Sequence, residues 1–194
     1  MDADTPGPPP EADRAFVSRW EGAKGTERAN YQRFLTELCA LLDLRQPEPA
    51  RADFAADGYC FERRVIFQHG DGAQSQGFID LYRRTYYVLE CKQTGLALDT
   101  GGWDNAMLRA HGQAVQYARG LPPEESRPPF VVVVDVDRRI KLYSEFSRTG
   151  GGYIPYPAEL FPTVFRHDLL GCANLAPGHL SRTAAPSELW WEGP

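Results

Sequence analysis

Residues 130–136 read FVVVVDV, and this run restricts the fold more than any other stretch of the chain. β-branched residues favour an extended strand. A strand with no polar alternation needs both faces covered. The chain must therefore supply other strands beside this run and helices above and below it.

Those elements can be read in order. TERANYQRFLTELCALLDL begins at Thr26 and places Tyr31, Phe34, Leu35, Leu38, Leu41 and Leu42 at helical spacing. Thr26 suits the N-cap and Glu27 the first turn, and QPEPA ends the helix. An irregular segment leads to YCFERRVIF at 59–67, which reads as a strand. QHGDGAQSQ, with two glycines, suits a hairpin loop. Further strands are predicted at about 77–83 and 86–93, joined by a tight Arg-Arg turn. A helix follows at about 103–119 and is broken by LPPEESRPP. After the apolar run, RIKLYSEF is another strand and TGGGYIPYP a loop. The order helix, three strands, helix, strand predicts an α/β fold: a three-layer sandwich with a central mixed β-sheet flanked by helices.

Several classes of protein are set aside at this level. No apolar run has the length of a membrane span, and no basic start followed by a hydrophobic stretch marks a secretory signal. Cys39, Cys60, Cys91 and Cys172 form no CxxC pair and no zinc-finger spacing, so free thiols in a reducing cytoplasm are expected. No internal repeat is visible. The net charge of −5 is unusual for a general DNA binder. It does not exclude a nuclease, whose carboxylates hold cations while another module supplies DNA affinity.

The second and third strands carry the chemistry. In GFIDLYRRTYYVLECKQ, at 77–93, Asp80 interrupts one apolar run, and Glu90 and Lys92 interrupt the next. By strand alternation, Ile79 and Leu81 point opposite to Asp80, and Leu89 and Cys91 opposite to Glu90 and Lys92. A turn near Arg83-Arg84 sets Asp80 across from about residue 88, with Glu90 its diagonal neighbour at about 7–8 Å. Two carboxylates so placed repel unless protonated or bridged by a cation. Hard oxygen ligands suit Mg²⁺, which activates water and offsets charge on a phosphate. Lys92 would orient or deprotonate the water, or neutralise the developing charge. The pattern is short, and a solvated salt bridge explains it equally well in isolation. Its place on a hairpin between two helices favours chemistry. Gln113 and Tyr117 stand one turn apart on the second helix, within reach of the lysine or a phosphate, although an amphipathic helix with a half-buried Tyr has the same pattern. His111 reads as a helix-surface or capping residue rather than a ligand.

Asp80, nine intervening residues and then Glu90-Cys91-Lys92 resemble the core of the PD-(D/E)xK nuclease superfamily, and Gln113-x-x-x-Tyr117 resembles the added motif of its RecB-like branch. RWEGAKGTERANYQRFLTELCALL, YCFERRV, GFIDLYRRTYYVLECKQ and HGQAVQYARGLP together resemble the N-terminal endonuclease domain of MmeI-like (type IIL) restriction–modification enzymes, over roughly residues 14–170. The resemblance implies a restriction-endonuclease-like fold. It implies that Asp80, Glu90 and the Cys91 carbonyl hold Mg²⁺ (Mn²⁺ substituting), that Lys92 is the catalytic lysine, and that Gln113 and Tyr117 support it. A further Glu often assists, with Glu27, Glu37 and Glu62 as candidates. Residues 1–13 read as a disordered Pro-rich leader, and 171–194 as an extension where a helical spacer would begin. Neither a glycine-rich loop for S-adenosylmethionine nor an Asn-Pro-Pro-Tyr motif occurs, so the chain reads as an excised domain or as one working with a separate modification partner. Trp190 and Trp191 are expected to pack on that partner or on the core.

The expectation is a Mg²⁺-dependent DNA endonuclease of a restriction or phage-defence system, paired with a methyltransferase and target-recognition module and dimerising to cut both strands. Arg63-Arg64, Arg83-Arg84 and Arg138-Arg139 are candidate phosphate contacts, though such pairs are often only solubilising. Rival readings are a catalytically silent nuclease-like binding or scaffolding module, and an RNA-directed nuclease.

Overall fold

The computed structural model describes residues 11–156 apart from 22, 24, 50 and 52–57. Within these residues run α1 (Glu11–Trp20), α2 (Glu27–Leu41), β1 (Tyr59–Gln68), β2 (Gln74–Arg83), β3 (Tyr87–Lys92), α3 (Gly101–Gly120), β4 (Phe130–Asp135), β5 (Arg139–Ser144) and β6 (Ile154–Pro155). A short 3₁₀ turn occupies Pro123–Glu125. The strands form one mixed sheet in sequential order. Every neighbouring pair is antiparallel except β3 and β4, which are parallel because α3 crosses over between them.

The apolar run lies inside the sheet, as its composition requires. Val131 and Val133 pack with Trp103, Met107, Ala110 and Ala114 of α3. Val134 and Val136 pack with Phe34, Leu35 and Leu38 of α2 and Trp20 of α1. Each buried valine contributes roughly 1.5–3 kcal/mol over exposure. This is the three-layer α/β sandwich expected from the sequence.

Some local details differ. The α1 helix starts at Glu11, inside the segment read as a leader, and Trp20 at its end is buried against Phe34. Thr26 takes the N-cap place of α2 without a side-chain cap bond. Thr100 does cap α3, its Oγ1 accepting from Trp103 N at 3.3 Å. The segment read as a closing loop contains the two residues of β6. Gly72 supplies the left-handed step of the β1–β2 hairpin, with φ of 82°. Cys39, Cys60 and Cys91 are buried free thiols. Among the described residues no helix is long and apolar enough to cross a membrane. Cys172, Trp190, Trp191 and the 171–194 extension lie outside the described residues.

Candidate active site

The β2–β3 register is Leu81↔Leu89, Tyr82↔Val88 and Arg83↔Tyr87. It sets Val88 across from Tyr82 rather than from Asp80, so the register behind the expected diagonal arrangement is corrected. The turn centres on Thr85, a non-glycine residue with φ of 65°, one position beyond the Arg-Arg pair. Moving a hairpin's centre by one residue shifts its register by two.

A second correction concerns alternation. Leu89 and Cys91 pack together on the α2 side, opposite to Val88 on the α3 side, as the pattern predicts. In β2, however, Ile79 packs on the α3 side and Leu81 on the α2 side. Residues two apart share a face only in a regular strand. The strand therefore switches faces at Asp80. In β1, Tyr59 lies on the α2 side and Val65 on the α3 side, so the same switch occurs there. The ladder pairs Phe61↔Leu81 and Arg63↔Ile79 but leaves Glu62 and Asp80 unpaired between them. Glu62 has φ of 54°, a left-handed backbone in the middle of a strand.

This irregularity positions the carboxylates. Asp80 Oδ2 accepts the Cys91 N–H at 2.7 Å. Lys92 Nζ donates to Glu90 Oε1 at 2.7 Å. Glu90 is 1% exposed, and its Oε2 is buried with no hydrogen-bond partner. Burial pushes the Asp80 carboxyl up to about 6, with Glu27 and Glu62 adding to the push and the Cys91 N–H and Lys92 opposing it. Burial and the charge of Asp80 push Glu90 up to about 8. Burial pulls Lys92 down, but Glu90, Glu27 and Asp80 outweigh it and hold the ammonium above its ordinary range.

A buried and a half-buried carboxylate with an unpartnered acceptor oxygen form a donor set that suits a hard divalent cation. Among the described residues no three His, Cys, Asp or Glu groups gather as a ready metal cluster. The fit therefore rests on Asp80, Glu90 and the orphaned Oε2.

The three candidate helper glutamates separate clearly. Glu27 Oε1 stands 3.8 Å from Lys92 Nζ, and its Oε2 accepts the Gln93 N–H at 3.1 Å. Glu62 is exposed and accepts a hydrogen bond from the Tyr31 hydroxyl. Glu37 is occupied elsewhere by Trp20, Arg19 and Arg33. Gln113 donates to the Tyr117 hydroxyl at 3.0 Å. Tyr117 stacks on Phe67 and lies over Gly77, three residues before Asp80. The structure thus joins Gln113 to Tyr117 and seats Tyr117 on the β1–β2 hairpin, while Lys92 bonds Glu90 and Asp80 bonds the Cys91 N–H. The Cys91 thiol points into the α2-side core, and its N–H serves Asp80.

The family described as "MmeI, N-terminal domain" matches residues 11–176. The chain belongs to that family. No curated protein and no solved structure matches the chain. Membership in the MmeI N-terminal family makes the chain a nuclease-related module of the restriction–modification kind, and it agrees with the PD-(D/E)xK pattern on β2 and β3.

Several residues of this MmeI-type domain have roles that differ from the sequence reading. Arg63 is buried against Glu125 at 2.5 Å, so it is no phosphate contact. Arg83 lies over the rings of Tyr59 and Tyr86, Arg84 is 3.5 Å from Glu125, and Arg139 pairs with Asp99 at 2.7 Å. His111 is half-buried rather than superficial, its ring 4.0 Å from that of Tyr143. Sequence reasoning missed Asp135, which is buried and accepts from Thr94 N, Thr94 Oγ1 and Trp103 Nε1 at 2.9, 2.8 and 2.7 Å. It also missed Gln93, which accepts from Asn30 at 3.1 Å and donates to the Ala23 carbonyl at 2.8 Å. An acid closing an apolar strand was the available signal for Asp135; Gln93 gave none beyond its place next to Lys92.

Proposed function

We propose that this domain is a Mg²⁺-dependent DNA endonuclease, acting in the cytoplasm with a methyltransferase and target-recognition module of a restriction–modification system. The observation that supports this most is the meeting of Asp80, Glu90 and Lys92 beside a broken ladder, with one Glu90 oxygen buried and unpartnered. Asp80 and Glu90 would hold the cation, and the Cys91 carbonyl is a further candidate ligand. A bound Mg²⁺ supplies water activation and offsets charge on the phosphate.

The chain's own groups do the rest. The Cys91 N–H fixes the Asp80 carboxylate through Oδ2. Lys92 keeps its proton and balances Glu90 until a phosphate arrives. Once drawn toward the phosphate, its ammonium orients the attacking water or neutralises charge as the P–O bond breaks. Glu27 holds the ammonium near the pocket from the start of α2. In-line attack leaves a 5′-phosphate and a 3′-hydroxyl. One such site cuts one strand, so a double-strand break requires two copies.

The test is plasmid nicking by the chain with Mn²⁺ or Mg²⁺, compared with Lys92→Ala. Nicking by the wild type and none by the variant is the expected result. The rival reading is a nuclease-like module that binds without cutting. That rival predicts no cation uptake and no effect of Asp80→Ala.

A further inference from the structure

Lys92 is the last residue of β3, and its pairing with Asp135 is the last rung of the parallel ladder. The end of a ladder frays first unless the chain beyond it is held. Here the two residues beyond Lys92 are both tied down. Gln93 is bonded to Glu27 and Asn30 of α2. Thr94 is bonded to Asp135, whose Oδ1 accepts the Thr94 N–H at 2.9 Å and whose Oδ2 accepts the hydroxyl at 2.8 Å. The Lys92 carbonyl also accepts from Val136 N at 2.7 Å. Trp103, in the first turn of α3, donates to Asp135 Oδ2 at 2.7 Å and so fixes the carboxylate itself. Past Thr94 the chain turns away, in the left-handed backbone of Gly95 at φ of 63°. Asp135 and Trp103 are both buried. A buried carboxylate is costly unless its oxygens are filled. Its partners here are all donors, so an acceptor-only group fits, and an amide would set its NH₂ against one of them.

We propose that Asp135 is a positioning residue for Lys92, acting through Thr94. It holds the backbone just beyond the lysine, so the ammonium moves between Glu90 and an arriving phosphate from a fixed Cα. Its own side chain bonds to Thr94 and Trp103, and not to Asp80, Glu90 or Lys92. The first turn of α3 thereby becomes part of the support of the lysine. The inference rests on the nuclease reading, in which Lys92 meets the phosphate, and adds the groups that seat that lysine.

The test uses the full chain labelled with ¹³C-lysine. Lys24, Lys92 and Lys141 are its only lysines, and Lys92→Arg identifies the Lys92 signal. In the wild type the bond to Glu90 restricts the side chain, so the two ε-methylene protons of Lys92 resonate apart. Thr94→Val keeps the shape of the side chain and loses its hydroxyl bond. In that variant the two resonances are expected to draw together, while Thr94→Ser keeps them as in the wild type. Plasmid nicking with Mn²⁺, at a temperature where all variants stay folded, is expected to slow about tenfold at saturating DNA in Thr94→Val, since a small misplacement of a reacting group costs up to about 10²-fold. The DNA concentration for half-saturation and the Mn²⁺ affinity are expected to stay within about twofold of wild type, and Thr94→Ser to restore the rate. Asp135→Asn is expected to give the same pattern more strongly. If the Lys92 resonances of Thr94→Val and Asp135→Asn match the wild type, or move without a loss of rate, this inference is overturned and the nuclease reading stands. A rate loss that follows Mn²⁺ affinity assigns the strut to the carboxylates and overturns it too. If the wild type does not nick, the nuclease reading falls and takes the positioning role with it, whatever the Lys92 signal shows.

Discussion

Lys92 is bonded to one oxygen of Glu90 at 2.7 Å, while the other oxygen of the same carboxylate is buried and unpartnered. Glu90 is thus half neutralised, and Asp80 beside it pushes its proton affinity up further. The carboxylate pair is an electrostatic weak point of the fold.

That arrangement sets a pH dependence. The Asp80 and Glu90 carboxyls, held near 6 and near 8, lie above the usual carboxylate range near 4 that they regain on unfolding. The folded state therefore binds more protons than the unfolded state between these limits, and stability falls as pH rises through them. Lys92 keeps its proton throughout this window. In EDTA, the melting temperature should drop from about pH 5 to about pH 8.5, and Mg²⁺ should reduce the drop. Glu90→Gln should flatten the profile, because the carboxyl with the larger upward push is removed. A flat wild-type profile in EDTA would contradict this account.

A different buried carboxylate should behave in the opposite way. Glu125 pairs with Arg63 at 2.5 Å and accepts from the Tyr82 hydroxyl at 2.6 Å, all three being buried. Here the charge is matched, so removing one partner strands the other. Glu125→Ala should cost about 3–5 kcal/mol and Tyr82→Phe about 1 kcal/mol in urea unfolding. Neither residue bonds to Asp80, Glu90 or Lys92, the proposed cation site, so Mn²⁺ affinity at a temperature where the variants stay folded should be unchanged.

These two clusters also show what the sequence could and could not disclose. FVVVVDV required a strand covered on both faces, and Tyr31, Phe34, Leu35 and Leu38 marked the helix face that covers one of them; both readings hold because periodic burial is local in sequence. Leu89 and Cys91 share the α2 side, as their spacing of two predicts, for the same reason. The register did not hold, because Thr85 adopts a left-handed turn without a glycine or asparagine to signal it. Nor did the parity of Ile79 and Leu81, because the face switch at Asp80 coincides with the backbone of Glu62 on another strand. The pairing of Arg63 with Glu125 joins residues 62 apart. An Arg-Arg dipeptide read alone suggests solvent, and only tertiary packing tells otherwise.

Gly77 tests how Tyr117 is seated. A β-carbon at Gly77 would come within 2.4 Å of Tyr117 Cε1, too close for any side chain there. Gly77→Ala must therefore displace the ring from Phe67 and disturb the Gln113 bond. A cost of about 1–3 kcal/mol is expected from overpacking. Tyr117→Phe keeps the ring and loses only the hydroxyl bond, which should cost about 1 kcal/mol or less. Equal costs for the two would mean that the ring is not held against the hairpin.

The last prediction separates a reacting group from one that positions it. Lys92 is the ammonium that meets the phosphate in the proposed reaction. Glu27 reaches it only at 3.8 Å and is anchored by the Gln93 N–H at 3.1 Å. Lys92→Ala should lower the single-turnover nicking rate by roughly 10²-fold or more, since both its charge and its proton are lost. Glu27→Gln keeps a hydrogen-bonding side chain of the same size and loses only charge, so a smaller loss of about tenfold is expected. The loss should fall in the rate at saturating DNA rather than in the DNA concentration needed for half-saturation, because Glu27 acts through Lys92. The Gln93 side chain ties the same segment to Asn30 and Ala23, so Gln93→Ala should reproduce the Glu27→Gln pattern more weakly. An effect of Glu27→Gln confined to DNA affinity would assign that carboxylate to substrate approach and remove it from the positioning of Lys92.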